Sequence, residues 1–295
     1  MSIRFTLNSR LNRTMAEAGK TLPRRERTED AMPTDHEQPA AVVPVLELRH
    51  VSHQYETDDG SIEAVRDISL SVSEHEFVCV LGPSGCGKST LLGLLAGFFP
   101  PADGEVLIDG RPVVGPDSGR GVMFQSETLY PWMTVEKNIT FGPRMRGAGP
   151  AECAAISERY LAEMNLSGYA RKKTFELSGG MKQRVALARV LANEPRVILM
   201  DEPFAALDAV TRIQMQALIR TIWHEEKRTI FMITHDIDEA LSLGTRLLIM
   251  SPGPGTIEDV FTTAFTMSAL ANDDQRVTVS PEYLELRDMI FRIIV

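Results

Sequence analysis

The sequence predicts an α/β protein with a mainly parallel β-sheet flanked by helices, an N-terminal antiparallel β subdomain and an inserted α-helical subdomain. Three observations predict this class. Between residues 45 and 125, runs that alternate apolar and polar residues are typical of half-buried strands. Residues 126–190 show helical periodicity with little strand signal. After residue 196, short apolar runs alternate with helical segments, which is the pattern of a parallel sheet wrapped by helices.

The predicted elements follow in order along the chain. Strands are predicted at "VLELRHVSHQY", "AVRDISLSVS", "FVCVLG", "GEVLIDG" (a short hairpin strand) and "RGVMFQ". Helices are predicted at "AECAAISERYLAEMNL" and "MKQRVALARVLA". The strands "VILMDE", "TIFMITH" and "RLLIMS" then alternate with helices, the first of which runs from about residue 209 to 226.

Three segments are predicted from the composition along the chain. Residues 1–44 are polar, contain prolines and lack an apolar period, which predicts a disordered extension. Their Arg-rich beginning leaves a transit peptide as an alternative. Residues 45–270 are predicted to form one domain, with the helical subdomain at about 126–190. Residues 271–295 are predicted to be a helical tail, because Ser280 and Pro281 give a helix start signal.

Bulk properties exclude several classes of function. A net charge of −9 argues against nucleic acid as a partner. No apolar run reaches the ~20 residues that a membrane-spanning helix needs. Cys79, Cys86 and Cys153 form neither an even disulfide framework nor a zinc-binding spacing, so a reduced, cytoplasmic setting is predicted.

Residues 82–90, "GPSGCGKST", match the phosphate-binding loop pattern between a strand and a helix. Its glycines let successive backbone N–H groups point at one phosphate, and the helix that follows adds its positive end. Lys88 is expected to reach the terminal phosphates, and the Ser89 hydroxyl to ligate Mg²⁺. The predicted binding residues are Gly82, Pro83, Ser84, Gly85, Cys86, Gly87, Lys88, Ser89 and Thr90. The core is therefore predicted to be a P-loop NTPase.

Two adjacent carboxylates follow the apolar run "VILM". Because side chains alternate along a strand, we expect Asp201 and Glu202 to face different partners. Asp201 suits the Mg²⁺ shell, and Glu202 suits the base that orients the attacking water. His235, at the end of "TIFMITH", is a candidate hydrogen-bond donor to the terminal phosphate.

Ser178, Gly179 and Gly180 stand where a helix begins. A hydroxyl and uncovered backbone N–H groups at such a position suit anion binding. The chain already has a phosphate loop, however, and the helical insertion separates it from this segment. One nucleotide is therefore not expected to touch both segments of the same chain.

The motifs "GPSGCGKST", "LSGGMKQR", "VILMDEP", "AALD" and "ITHD" occur in this order, and together they resemble those of an ATP-binding cassette (ABC) ATPase over about residues 45–251. The resemblance implies ATP and Mg²⁺ as ligands and a head-to-tail pair of subunits. Ser178, Gly179 and Gly180 of one subunit would then contact the nucleotide held by the other. It also implies that Tyr55 stacks on the adenine and that Gln125 contacts Mg²⁺ and the attacking water. Asp208 would belong to the loop that senses the nucleotide site on the opposite side of the dimer.

Finer resemblance lies in "LYPWMTVEKNITFGPRMRG", "IDEALSLGTRLLIMSPGPG" and "SPEYLELRDMIF". These segments are similar to ATPase subunits of the nitrate, sulfonate and taurine importer family. That similarity implies transmembrane permease subunits, indirectly a solute-binding protein, and a peripheral location at the cytoplasmic face of the inner membrane. Leu129, Tyr130, Pro131 and Trp132 would receive the permease, although packing inside the helical subdomain is the alternative for them.

Other functions remain open at this point. A small-molecule kinase or another non-transport P-loop ATPase would use the same phosphate loop, but it leaves "LSGGMKQR" without a role. A regulatory module with inactive nucleotide sites is disfavoured by the presence of Lys88, Glu202 and His235.

Overall fold

The computed structural model describes residues 43–294 except Asp59, Glu127, residues 273–275 and Thr278. Nearly all of the predicted disordered extension, residues 1–42, lies outside the described residues. The strands are β1 Leu46–Thr57, β2 Gly60–Val72, β3 Phe77–Leu81, β4 Asp103–Ile108, β5 Arg111–Pro112, β6 Arg120–Met123, β7 Val197–Asp201, β8 Thr229–Ile233, β9 Arg246–Met250 and β10 Ile257–Thr262. The helices are α1 Lys88–Ala96, α2 Val135–Ile139, α3 Phe141–Met145, α4 Pro150–Glu163, α5 Gly179–Leu191, α6 Ala209–Glu225, α7 Ile237–Leu243, α8 Phe265–Ala271 and α9 Pro281–Ile294.

The described strands form two sheets, and the predicted α/β class is confirmed. An antiparallel sheet has the order β2-β1-β4-β5. A second sheet has the order β10-β9-β3-β8-β7-β6, in which only the β10–β9 pair is antiparallel among the described strands. Between β6 and β7 the chain forms the helices α2 to α5, as the helical periodicity of that block predicts.

The parallel sheet is buried on both faces. Phe77, Cys79 and Leu81 of β3 pack into one core with side chains of α4 to α7 and α9. Val78 and Val80 pack into a second core with α1 and the antiparallel sheet. Burial on both faces explains why these strands are continuous apolar runs in the sequence.

The parallel register brings the carboxyl ends of the central strands to one edge. Val80 and Asp201 both pair with Ile233, and Met123 pairs with Met200. The loops that follow β3, β6, β7 and β8 therefore meet at this edge, which is where open α/β sheets bind ligands.

Two described elements lack a clear signal in the sequence. Strand β10 is an edge strand with a mostly exposed pattern, and α8 is a seven-residue helix. Neither contains an apolar run or a full helical repeat. Within the described part of the chain, no helix has the length and apolarity that a membrane crossing requires.

Candidate functional site

At two positions of the glycine loop after β3, the backbone adopts a conformation that only glycine accepts without strain. Gly85 has φ +79° and Gly87 has φ +92°. A Cβ at Gly87 would lie 2.4 Å from the carbonyl oxygen of Ala64 on β2. The loop is therefore packed closely against the antiparallel sheet, and its curl leads directly into α1.

Lys88 is buried at the first position of α1. Its ammonium group donates hydrogen bonds to the carbonyl oxygens of Gly82 (2.8 Å) and Pro83 (2.9 Å), and it lies 3.7 Å from the sulfur of the buried Cys86. The loop thus holds a positive charge at the point where its glycines and the start of the helix also favour an anion.

A cavity of about 680 Å³ opens beside this loop. That volume is within the range of small-molecule and cofactor sites. Its lining includes Tyr55, Ser84, Gly85, Gly87, Lys88, Ser89, Thr90 and Glu202. Tyr55 is 41% exposed, and its hydroxyl donates to Oγ1 of Thr90 (3.2 Å). A tethered ring at the cavity wall is suited to stacking on an aromatic base.

Asp201, the last residue of β7, faces the start of α1. Burial raises the pKa of its carboxyl above the usual value, and the charge of Glu202 adds to the shift. A hydrogen bond from Ser89 and the charge of Lys88 act in the opposite direction. A partly desolvated carboxylate beside a hydroxyl is an oxygen donor set that suits Mg²⁺.

Glu202 turns away from the strand. Strand alternation predicts different directions for Asp201 and Glu202, but β7 ends at Asp201 and Glu202 has φ +43°, so alternation is not the reason. Its backbone N–H still donates to the carbonyl oxygen of Ile233 (3.0 Å). Its Oε2 accepts a hydrogen bond from Nε2 of Gln125 (3.2 Å) and lies 3.2 Å from Nδ1 of His235. The structure therefore brings three of the predicted catalytic residues together.

The Ser-Gly-Gly segment does not reach this cavity. Ser178 is the N-cap of α5, where its hydroxyl accepts a hydrogen bond from the N–H of Met181 (3.4 Å), and both Ser178 and Gly179 are exposed. None of the predicted residues Ser178, Gly179, Gly180 and Asp208 is among the described residues that line the cavity.

Asp208 caps the neighbouring helix. Its carboxylate accepts hydrogen bonds from the N–H groups of Val210 (3.1 Å) and Thr211 (3.0 Å) and from the hydroxyl of Thr211 (2.6 Å). The Thr211 contacts lower the pKa of Asp208. A Cβ at Gly180 would lie 2.5 Å from Cγ2 of Thr211, so the Ser-Gly-Gly segment and the Asp208 segment adjoin each other in the same chain.

Comparison with known proteins gives a consistent result. Residues 65–205 match the family model described as ABC transporter. The taurine import ATP-binding protein of Jannaschia sp. (strain CCS1) is 44% identical over 250 residues, which cover 84% of this chain and 93% of that protein. The chain belongs to the ABC transporter ATPases. This membership decides between the transport ATPase and the kinase that the motifs left open.

Other relatives of this ABC ATPase agree with that assignment. An uncharacterized ABC transporter ATP-binding protein of Methanocaldococcus jannaschii is 42% identical over 84% of this chain and 91% of its own. A solved dimeric ATP-binding cassette, MJ0796 in a post-hydrolysis state bound to ADP and Pi, has 32% identity and a TM-score of 0.66, and the match covers 74% of this chain and 98% of that one. The structure of cbiO1 from Clostridium perfringens, part of an ABC transporter complex, has 26% identity and a TM-score of 0.68 over 78% of this chain and 92% of that one.

Part of the ABC ATPase cavity wall is formed by residues that no motif in the sequence marks. Ile62, Glu63, Ala64 and Arg66 of β2 line it, together with Gly253 and Pro254. The N–H of Gly255 donates to the carbonyl oxygen of Ala64 (2.9 Å), and this contact joins the two segments. Such a pairing between distant parts of the chain has no local signal, although "SPGPG" does mark a turn.

Proposed function

We propose that two copies of this chain bind and hydrolyse two ATP molecules at a shared interface, and that they thereby drive import of a small anionic solute through separate membrane subunits. One observation carries the proposal. The carboxylate of Glu202 lies between Gln125 and His235 beside the phosphate loop, whereas the Ser178 and Gly179 anion receptor of the same chain is open to solvent. Each chain therefore supplies the phosphate-loop half of one nucleotide site and the Ser-Gly-Gly half of the other.

Within one site, Lys88 exchanges the carbonyl oxygens of Gly82 and Pro83 for the phosphates of ATP. Glu202 orients the attacking water and accepts its proton, a role worth typically ~10²–10⁴-fold in rate. Gln125 and His235 both hold Oε2 of the Glu202 carboxylate, since each already lies 3.2 Å from it. Ser89, Asp201 and Gln125 are the residues that would hold Mg²⁺, which neutralises charge on the phosphates when bound.

The second copy completes the site. Its Ser178, Gly179 and Gly180 donate to the terminal phosphate, and its Asp208 lies beside them because Thr211 contacts both segments within one chain. The dimeric state of the MJ0796 cassette supports this arrangement. The free energy for closing the pair comes from the tighter binding of ATP to the closed form.

The permease is proposed to dock on the loop at residues 129–132. Trp132 is 67% exposed, while Tyr130 packs on Phe141 (4.6 Å between ring centroids). The side chain of Asn138 is buried and bonds the N–H and carbonyl groups of Tyr130, which fixes the loop. A rigid loop that presents an exposed tryptophan is typical of an interface anchor.

The names of the relatives support taurine, or a similar small solute with an oxyanion group such as another sulfonate or nitrate, as the solute. Solute selection is assigned to the permease and to a solute-binding protein, since nothing in this chain's site needs to contact the cargo. The location that fits these partners is the cytoplasmic face of the inner membrane, with the chain bound peripherally.

The test reconstitutes this chain with a permease and a solute-binding protein of the taurine importer type from the same genome, and measures ATP turnover and uptake in vesicles. Taurine, alkanesulfonates and nitrate are compared with β-alanine, which has a carboxylate in place of the sulfonate of taurine. We expect a sulfonate or nitrate to stimulate turnover severalfold. Stimulation by β-alanine alone, or turnover that does not respond to the permease, would overturn the proposal.

A matched pair of variants tests the docking loop. Trp132→Asp should abolish coupled uptake and leave basal turnover unchanged, because an apolar anchor is lost from the interface. Val260→Asp is the control, because Val260 is also exposed but lies on β10, at the opposite edge of the parallel sheet from β6. Intact uptake in Trp132→Asp would instead favour the packing role.

A further inference from the structure

We infer that the C-terminal helix α9 is a positioning element of the catalytic site. Tyr283 and Arg287 of α9 hold the carboxylate of Asp238, and through the first turn of α7 they fix the backbone that carries His235. This inference rests on the role proposed for His235, and it assigns a role to a helix that lies outside the motif region.

The contact between α9 and α7 centres on one oxygen atom. The hydroxyl of Tyr283 donates to Oδ1 of Asp238 (2.9 Å), and Nε of Arg287 lies 3.0 Å from the same oxygen. Tyr283 and Arg287 are four residues apart on α9, so they project from the same face of the helix. The hydrogen bond from Tyr283 and the ion pair with Arg287 hold the Asp238 carboxylate in one orientation.

Tyr283 is itself anchored in the core. It is buried, and its ring contacts Phe265 of α8 edge-on (5.2 Å between centroids). Ile290, two turns further along the same face of α9, is also buried. Burial, with a further contribution from Asp238, raises the pKa of the Tyr283 hydroxyl. The hydroxyl therefore stays protonated at neutral pH and remains a hydrogen-bond donor.

The segment between Asp238 and His235 is short and tightly bonded. Asp236 caps α7 by accepting a hydrogen bond from the N–H of Glu239 (3.1 Å). The hydroxyl of Thr234 accepts from the N–H of Asp236 (3.0 Å) and donates to the carboxylate of Glu239 (2.7 Å). These bonds join Thr234, Asp236 and Glu239, which flank His235 and Asp238 in the sequence. We therefore infer that a displacement of Asp238 shifts the backbone of His235.

Arg212 of α6 holds the same segment from another helix. Its guanidinium lies 3.7 Å from Oδ2 of Asp236 and 3.8 Å from Oε1 of Glu239. These separations are longer than hydrogen bonds, whereas the two contacts from α9 are within hydrogen-bond range. We therefore assign the larger share of the positioning to α9.

His235 needs such support because its ring is mostly exposed and has few packing contacts of its own. Its side chain is 63% exposed, and its ring contacts the Glu202 carboxylate. The Arg287–Asp238 pair is also half-exposed, so it contributes little to folding stability. A loss of turnover without a loss of stability would thus identify positioning rather than folding.

The experiment compares Tyr283→Phe and Asp238→Asn with the wild-type full-length chain. The first variant removes one hydroxyl, and the second weakens both contacts. We expect kcat for ATP hydrolysis to fall about tenfold in Asp238→Asn and less in Tyr283→Phe, because small misplacements of catalytic groups are costly. The Kd for ATP and the Tm should stay close to the wild-type values. Arg292→Gln, an exposed change on the same helix, is the control and should keep full turnover.

Four outcomes are decisive. A kcat that is unchanged in both variants, or a loss of ATP affinity equal to the loss of kcat, would overturn the inference. In a His235→Ala background, Asp238→Asn should cause no further loss, because the two residues act in sequence. If His235→Ala itself retains full turnover, the role proposed for His235 in the site fails, whereas an active role of His235 with no effect of Asp238→Asn removes only the contribution of α9, so the two failures are distinguishable.

Discussion

The phosphate-loop region and the Ser-Gly-Gly region are both suited to anions, but they differ in how far one chain completes them. Around Lys88, the described residues form a lined cavity, and Glu202 has contacts on two sides. Around Gly179, a Cβ would meet no atom within 4 Å, and Ser178 is exposed. The first region is organised by contacts within the chain, whereas the second presents its groups outward. This difference is the one that the proposed division of the site between two subunits requires.

The largest expected effect is that of Glu202→Gln. The amide keeps the shape of the side chain but cannot accept the proton of the attacking water, so turnover should fall about 10²–10⁴-fold. ATP binding should persist, and ATP should trap a dimer that is visible by size-exclusion chromatography. Turnover close to the wild-type rate would remove Glu202 from the role of base.

A smaller effect is expected from Gly179→Ala, which sharpens the comparison directly. The methyl group enters open space in the isolated chain, and alanine favours helix, so the Tm should stay the same or rise. Turnover should nevertheless fall about tenfold, since we propose that this space receives the partner's nucleotide. The rate and the Tm of the purified variant check both expectations.

Gly180→Ala provides the contrast to that variant. Its Cβ would lie 2.5 Å from Cγ2 of Thr211, so this change should lower both the Tm and the turnover. A Gly179→Ala protein with unimpaired turnover would show that the open face of α5 has no part in hydrolysis.

The smallest expected effect is on the thermal stability that Asp201 contributes in the phosphate-loop region. Because burial raises the pKa of Asp201, the ionised form is disfavoured in the native state, and this cost is present at pH values above the raised pKa. Asp201→Asn should therefore raise the Tm of the nucleotide-free protein at pH 7. The gain should shrink as the pH falls toward the ordinary aspartate value of about 3.9. A gain that is independent of pH would contradict this origin.

Local patterns predicted much of this molecule. The loop "GPSGCGKST" lies between a buried strand and a helix, and Gln125, Glu202 and His235 follow strands whose carboxyl ends meet at one edge. Such features can be predicted because the spacing of apolar residues and the positions of glycines depend on only a few neighbouring residues. The residue ranges of the three segments and the roles of the individual site residues remain predictions.

Long-range contacts could not be predicted in the same way. The cavity wall at Glu63 and Arg66, its link through Gly255, and the contact of Tyr283 with Asp238 each join segments far apart in the sequence. Glu202 has φ +43°, which its residue type does not favour, and its N–H is bonded to β8. These features arise from tertiary packing, which no local pattern records.

The most direct test of a divided site mixes two inactive variants. A Ser178→Arg chain retains its phosphate loop, and a Lys88→Ala chain retains its Ser-Gly-Gly segment. Either variant alone should be inactive, whereas an equal mixture should recover about one quarter of the wild-type turnover, because half of the dimers then contain one intact site. A mixture no more active than its separate components, or a Ser178→Arg protein with full turnover, would contradict the account.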